Sequence, residues 1–233
     1  MKRSSSHLLV VSYLIVTLLG IQSPPAQASS AIGFEAGSMG LGVVAYQPIR
    51  DNLNLRLFWQ GLSLNADINT DSVAYEAEAK LNQFGISGEW HPIHNGFFIN
   101  SGLIRTQNKI LLDSETSNSF QVGNDQYIGN IALSGSVIFA PLSPFFSVGW
   151  NSAALNHHGF SFNAEIGFFW QDSPEITLQG SGTAIKTGDT LAIDVSNHPT
   201  FQKSLKEEQT SLEEETKNFK LFPVLNLGFS YQF

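Results

Sequence analysis

The last thirteen residues, Leu221 to Phe233, read LFPVLNLGFSYQF and are the most informative stretch of the chain. Apolar or aromatic side chains occupy every second position, and small or polar ones lie between them. The apolar set is Leu225, Leu227, Phe229, Tyr231 and Phe233. Period-two alternation predicts a β-strand with one apolar face and one polar face. A soluble sandwich strand shows the same alternation, so this stretch alone leaves the surroundings of the apolar face open.

The other end of the chain has the pattern of an export signal. Two basic residues precede an apolar run from Leu8 to Ile21, and Ala26-Gln27-Ala28 fits a signal-peptidase site. We therefore predict a signal peptide over residues 1–28 and one mature domain over residues 29–233. A transmembrane anchor is the alternative, but the run is short for one and ends at two prolines. Together with the aromatic last strand, the signal predicts a β-barrel in the cell outer membrane.

Composition favours the same class of protein. Charged residues make up only 14% of the chain, whereas it contains 18 phenylalanines and 20 glycines. The chain has no cysteine, which excludes disulfides and a lipidated cysteine. No later apolar run reaches the roughly 18 residues that a transmembrane helix needs. The formal net charge of −8 argues against nucleic acid as a partner, and favours cations or lipopolysaccharide-associated divalent ions at exposed loops.

Alternating segments joined by short and long connections predict the topology. Because both mature termini of such a barrel lie in the periplasm, parity requires a short first strand, Ala31 to Gly37, and eight strands in total. The fifth strand is predicted from Phe97 to about Leu112, and residues 131–144 fit no strand cleanly. The apolar phase changes near Gly61 and near Asn82-Gln83, which predicts two β-bulges. The predicted fold class is all-β: an antiparallel up-and-down transmembrane β-barrel with a short acidic helix in the last long loop.

The polar strand faces carry charges of both signs. By phase, nine charged residues are predicted to point into the lumen: Glu35, Arg56, Glu76, Glu78, Lys80, Glu89, Arg105, Lys109 and Glu165. The interior of an eight-stranded barrel is so narrow that side chains fill it and leave little room for water, so such charges must pair. Either they form a plug of ion pairs that closes the barrel, or they line a narrow path for a small charged solute. We favour the plug.

The long loop before the last strand contains a predicted helix. The loop covers residues 172–218. Towards its end and just beyond it, an apolar residue recurs every seventh position, at Leu205, Leu212 and Phe219, and glutamates fill the other faces. This pattern predicts a mostly polar helix over residues 203–219 with one thin apolar seam. The helix is either a solvated cover on the barrel mouth or an acidic cap that gathers cations; charge runs on helices favour the solvated cover.

The histidines argue against catalysis. A barrel that modifies lipid A needs a histidine with a serine and an acid near the outer rim. Four histidines fall at predicted periplasmic turns, and only His198 lies in an outer loop. The four are His91, His94, His157 and His158. Adjacent histidines of a strand point to opposite faces and chelate a metal badly. We therefore predict no enzyme activity, no catalytic residue, no metal and no cofactor.

Three stretches resemble a known superfamily. They are Val44-Ala45-Tyr46-Gln47-Pro48, the strand–turn–strand from Gly85 to Ile99, and the ending Leu225 to Phe233. With them the chain resembles the eight-stranded outer-membrane barrels, whose best-known member is the N-terminal barrel of outer-membrane protein A. An acidic helical stretch before a final strand that begins with Phe222-Pro223 is similar to the carbapenem-associated outer-membrane proteins, small barrels linked to uptake of basic amino acids. The resemblance implies the architecture of the protein but gives almost no information about a substrate.

These patterns lead to one functional prediction and two alternatives. We predict an integral outer-membrane barrel with a lumen filled by ion pairs and a role in envelope structure or surface interaction. A narrow channel for small cationic solutes is the first alternative, and a lipid-modifying enzyme is the second. The predicted partners are outer-membrane lipid, lipopolysaccharide and the barrel assembly machinery. The machinery would recognise the last strand through Phe229, Tyr231 and Phe233.

Overall fold

A computed structural model describes residues 29–69, 74–93, 95–116, 119–122, 125–152 and 159–233 of the protein. The predicted signal peptide and the predicted turn positions of His94, His157 and His158 lie outside the described residues. The elements are β1 (Ala31–Gly37), β2 (Gly40–Arg50), β3 (Leu53–Asn69), β4 (Ala74–Trp90), β5 (Phe97–Thr106), β6 (Lys109–Thr116), β7 (Ser119–Val122), β8 (Asp125–Ile138), β9 (Leu142–Asn151), β10 (Gly159–Trp170), β11 (Glu175–Lys186), β12 (Ile193–Asp194), α1 (Pro199–Thr216) and β13 (Leu221–Gln232).

Eight of these strands close into an antiparallel barrel. The order around it is β1, β2, β3, β4, β5, β9, β10 and β13, and β13 pairs back onto β1. The predicted fold class is confirmed, including the short first strand and the helix in the last long loop. We call the end that carries Ala31 and Gln232 the terminal end, and the opposite end the distal end.

The strands are strongly tilted. A hydrogen-bonded row that starts at Ala31 passes through Tyr46 and Arg56 and reaches Phe222 in β13, whereas Ala31 itself pairs with Gln232. The row thus closes with a stagger of ten residues, from 222 to 232. Eight strands with this stagger have a tilt of about 40°. Each row therefore climbs towards the distal end as it passes from β1 round to β13.

A second sheet projects from the distal end. The distal half of β4 leaves β5 and pairs with β6, and the sheet continues through β8 and β11 to β12, with β7 on β8. We call this the distal sheet. It contains residues 131–138, which belong to the stretch that fits no strand cleanly in the sequence. The predicted fifth strand breaks at Gln107-Asn108, because β5 stays in the barrel and β6 belongs to the distal sheet.

The two predicted bulges are wrong. The ladder between β3 and β4 runs in unbroken register from Leu53↔Trp90 to Asn69↔Ala74. What changes near Gly61 is the environment of each face. On the barrel wall the outer face carries the apolar residues, such as Trp59, whereas in the distal sheet the apolar residues lie on the continuation of the inner face. The apolar phase therefore changes although the backbone register does not.

The outside of the barrel wall is apolar and exposed. Phe34, Phe84, Phe162, Leu227 and Phe229 are 46–64% exposed, although they belong to regular paired strands. An apolar outer band of this kind is typical of barrels that face lipid. Among the described residues, no helix is both long and apolar enough to cross a membrane.

Candidate functional site

A buried ion-pair network crosses the middle of the barrel. The Arg56 guanidinium donates from Nη2 to both oxygens of Glu35, at 2.7 and 2.8 Å. It also donates to Glu165, from Nη1 at 2.7 Å and from Nη2 at 3.0 Å. The three side chains are at most 1% exposed. One guanidinium thus holds two carboxylates across the lumen, in the forked geometry that arginine offers to carboxylates.

Neutral donors complete the network. Each carboxylate accepts three further hydrogen bonds from amide or hydroxyl groups, so both oxygens of each are satisfied. The donors to Glu35 are Tyr46, Gln60 and Asn163, and the donors to Glu165 are Asn100, Ser147 and Asn226. These residues and the three charges come from every barrel strand except β4. Buried charges are tolerated only when they are paired and hydrogen-bonded in this way.

An apolar layer closes the distal half of the lumen. Phe58 lies beside Arg56, with the guanidinium carbon 4.8 Å from the ring centroid, and its ring is 5.8 Å from that of Phe145. Phe169 stacks on Phe222 at 4.7 Å with an angle of 13° between the rings. The layer is completed by Met39, Ile104 and Val224, which are fully buried. Because these residues lie near the distal ends of their strands, the layer separates the charges from the distal mouth.

A further buried carboxyl group lies near the terminal end. Glu89 is buried, and its Oε1 lies 2.9 Å from Nε2 of His91. Asn54 donates to the same carboxylate at 3.4 Å, and the His91 ring meets Phe98 edge-on at 6.0 Å. His91 therefore packs into the barrel instead of lying in a free turn, and Glu89 points into the lumen.

The structure brings four of the nine predicted lumen residues into the lumen and leaves five outside. Inside are Glu35, Arg56, Glu89 and Glu165. Outside are Glu76, Glu78, Lys80, Arg105 and Lys109, all on the outer face of the barrel wall or of the distal sheet. The first three continue the face of Phe84 and Trp90, because β4 keeps its register. Arg105 lies between the inward-facing Ile104 and Thr106. The apolar filling of the distal lumen made the two faces of β5 look alike in the sequence.

Helix α1 covers one end of the distal sheet. Phe201 is fully buried, with its ring centroid 5.1 Å from that of Tyr127, and Leu205 packs into the same cluster. The helix begins before the predicted residue 203 and ends at Thr216, so Phe219 lies outside it and is exposed. The seam that packs is therefore at Phe201 and Leu205.

A polar clasp fixes the same helix. Ser204 donates to one oxygen of Asp125 at 2.9 Å, and the Lys186 ammonium lies 2.8 Å from the other. The hydrogen bond from Lys186, followed by that from Ser204, holds the pKa of Asp125 below its usual value. The same contact with Asp125 raises the pKa of Lys186. Both groups are therefore charged at neutral pH, as the clasp requires.

The outer face of the distal sheet carries an open cavity of about 640 Å³. Glu76 and Asp113 lie opposite each other across the β4–β6 ladder and line it together with Ser134, Gln179 and Ser181. Within the described ranges, no group of three or more histidines, aspartates or glutamates could hold a metal ion. His198 lies at the start of α1 and is half-buried.

The closed eight-stranded barrel with an apolar exterior defines the architecture of the small outer-membrane barrels, so the predicted resemblance is confirmed at the level of the fold. The chain is similar to the crystal structure of CarO, the carbapenem-associated outer-membrane protein of Acinetobacter baumannii. The TM-score is 0.57 and the identity 20%, over 90% of this chain and 100% of that one. A. baumannii CarO2 matches with a TM-score of 0.57 and 13% identity, over 88% and 99%. No protein-family model and no curated protein matches.

Substituting Glu165→Gln is expected to lower the free energy of unfolding by about 1–3 kcal/mol. Glutamine has one acceptor oxygen, and its amide group would face the donors of Arg56 or Asn226, which now contact the second carboxylate oxygen. The measurement is urea unfolding in detergent or lipid. Glu175→Gln is the matched control, because Glu175 is exposed at the start of β11. Equal stability of the two variants would contradict a paired Glu165.

Proposed function

We propose that the protein is a non-enzymatic outer-membrane barrel with a closed lumen that carries a folded platform on the cell surface. The observation that supports closure is the contact of Arg56 with Glu35 and Glu165, at 2.7 Å each and at most 1% exposed. A side chain that lined an open aqueous path would be hydrated and more exposed. In an eight-stranded barrel such contacts fill the interior.

The apolar layer supports the same proposal. An ion that travelled along the lumen would meet the charges in the middle and then Phe58, Phe145 and Phe169, which are at most 2% exposed. Passage would require desolvation next to buried aromatic rings, and apolar constrictions block conduction by excluding water. The resting barrel is therefore proposed to be impermeable to small ions.

The orientation in the membrane follows from the lengths of the connections. At the terminal end β2 and β3 are joined by a tight turn, whereas at the distal end the chain builds the distal sheet and α1. Outer-membrane barrels have short periplasmic turns and long external loops, so we place the distal sheet outside the cell. The polar sheet, its acidic cavity and α1 then form a surface for interaction with other molecules.

The two alternative functions, a channel and a lipid-modifying enzyme, make different predictions. A channel for small cations would use Glu35 and Glu165 as its acidic lining, and it would require the aromatic layer to move. A lipid-modifying enzyme would depend on His198, so loss of a lipid A mass shift on His198→Ala would support that role. The barrel assembly machinery remains a proposed partner of β13, through the exposed Phe229, Tyr231 and Phe233.

Planar-bilayer recording tests the closed lumen. We expect the purified protein, whose folded state is checked by a heat-dependent shift on unboiled gels, to insert without reproducible single-channel steps. The double variant Phe145→Ala/Phe169→Ala removes the aromatic layer, and the matched control Phe146→Ala/Phe168→Ala changes the neighbouring outward rings. Steps in the double variant alone support the plug. Regular steps in the unaltered protein would overturn the proposal in favour of a channel.

A further inference from the structure

We propose that Arg105, Lys80 and Lys109 form a binding surface for the phosphate groups of lipid A in the outer leaflet. This inference rests on the proposed placement of the barrel in the outer membrane with its distal end outside. All three residues lie on the outer face of one wall, formed by β4, β5 and β6. The closed lumen makes no use of them.

Arg105 is exceptional on the barrel wall. All outward positions of the wall, from the turns of the terminal end to the start of the distal sheet, are described, and Arg50 and Arg105 are the only charged residues among them. Arg50 lies at the terminal-end turn. Arg105 is flanked across its two ladders by Phe84 and Leu142, which are 46% and 61% exposed. A cation on this apolar face needs an anion within reach of its side chain.

The height of Arg105 matches the edge of the apolar band. It is the last residue but one of β5, and its row has already climbed four strands from β1. Trp59 lies in the same row as Arg105, across Phe84, and its ring N–H donates to Asn82 at 2.8 Å. Asn82 lies further towards the distal end and donates to Gln107 at 2.9 Å. Exposed tryptophan with its N–H directed to polar groups marks a membrane interface. From that level the Arg105 side chain can extend to the lipid head groups.

The two lysines lie one step further out. Lys80 and Lys109 are direct partners across the β4–β6 ladder, two residues beyond Asn82, or about 7 Å along the strand. Like charges in directly opposed positions repel, and a shared anion removes that repulsion. Lys80 contacts the Glu78 carboxylate at 2.6 Å, and Glu175 lies in the same row beyond Ile138. With Arg105 included, the three cations exceed these two carboxylates.

The pattern of charge fits a lipid phosphate better than a soluble anion. The cations lie in the layer next to the aromatic belt, whereas the acidic pair Glu76 and Asp113 lies further out. A soluble anion would approach past these carboxylates, whereas a lipid phosphate reaches the cations from the membrane side. Phe84, opposite Arg105, is four residues from Lys80, or about 13 Å, so the arginine and the lysine pair would contact separate phosphates of a bisphosphorylated lipid.

Thermal unfolding with added lipid tests the surface. The full mature chain in a neutral detergent is titrated with bisphosphorylated lipid A, and the loss of the folded form on unboiled gels is followed with temperature. Bound lipid A should raise the unfolding temperature of the unaltered protein. The variant Lys80→Gln/Arg105→Gln/Lys109→Gln should need at least roughly ten times the lipid A concentration for the same rise in unfolding temperature. Dephosphorylated lipid A should not distinguish the two proteins.

The matched control carries the same change of charge on α1 and on the residue that follows it. Lys203→Gln/Lys206→Gln/Lys217→Gln removes three exposed cations from the distal region and should respond to lipid A as the unaltered protein does. An equal response of the first variant and the unaltered protein would overturn the inference, as would an equal loss in the control. Neither result bears on closure of the lumen, since conductance reports that separately. Regular single-channel conductance together with an intact response to lipid A would contradict the closed lumen and leave the lipid A surface supported.

Discussion

Replacing Arg56 with methionine is expected to lower the free energy of unfolding by about 3–5 kcal/mol. The substitution keeps an unbranched side chain beside Phe58 but leaves Glu35 and Glu165 buried without their cation. Two carboxylates then face each other in a medium of low polarity, where an unpaired charge is costly. Urea unfolding of the barrel in lipid or detergent, followed on unboiled gels, measures the change.

Two further variants separate charge from packing. Arg105→Met makes the same chemical change on the outer wall and should alter stability little in lipid-free detergent. Adding Glu35→Gln and Glu165→Gln to Arg56→Met removes the buried charges together, and it should recover a large part of the lost stability. A single Arg56→Met variant as stable as the unaltered barrel would show that the network contributes nothing to the fold.

Replacing Phe169 with alanine is expected to cost about 3–5 kcal/mol. Phe169 is fully buried and stacks on Phe222, so the truncation removes a packed ring from the layer that fills the distal lumen. The barrel wall around it is held by regular ladders to β9 and β13 and can collapse little into the space. The same urea assay measures the loss of stability.

The neighbouring residue gives a stringent control. Phe168 lies one position away on β10 but points outward and is 40% exposed. Phe168→Ala therefore makes the same truncation without opening a cavity and should cost much less than Phe169→Ala. Equal losses from the two substitutions would mean that the lumen is not packed as the structure shows.

Much of the fold could be predicted from alternation, because the barrel strands separate an apolar face from a polar one over most of their length. β13 and β10 show this most clearly, and counting strands back from β13 correctly required the short β1. The distal sheet could not be predicted in this way. Its apolar residues lie on the face that α1 covers only in part, and polar residues and glycines interrupt them, so much of β8 and β11 resembles a loop in the sequence.

The candidate site was only partly predictable, and the reason is physical. Polar residues on the inner face pointed to Glu35, Arg56 and Glu165, but the same criterion placed Arg105 and Lys109 inside as well. The criterion fails for Arg105 because apolar side chains such as Phe58 and Phe145 fill the distal lumen and make the inner face as apolar as the outer one. It fails for Lys109 because β6 leaves the barrel and belongs to the distal sheet. Asn100 and Ser147 complete the network and occupy inward positions of the alternating pattern. They carry no charge, so nothing in the sequence distinguished them from other inward polar residues.

The antiparallel barrel of eight strands with an apolar outer face follows from the sequence, because period-two alternation is a local property of each strand. Which charges meet follows from the closed sheet. The stagger of ten residues around the closed barrel brings Arg56 of β3 opposite Glu165 of β10, which is 109 residues away in the chain. The continuous β3–β4 register places Lys80 and Glu76 outside. Stagger and register belong to the closed sheet as a whole, so no single strand carries them.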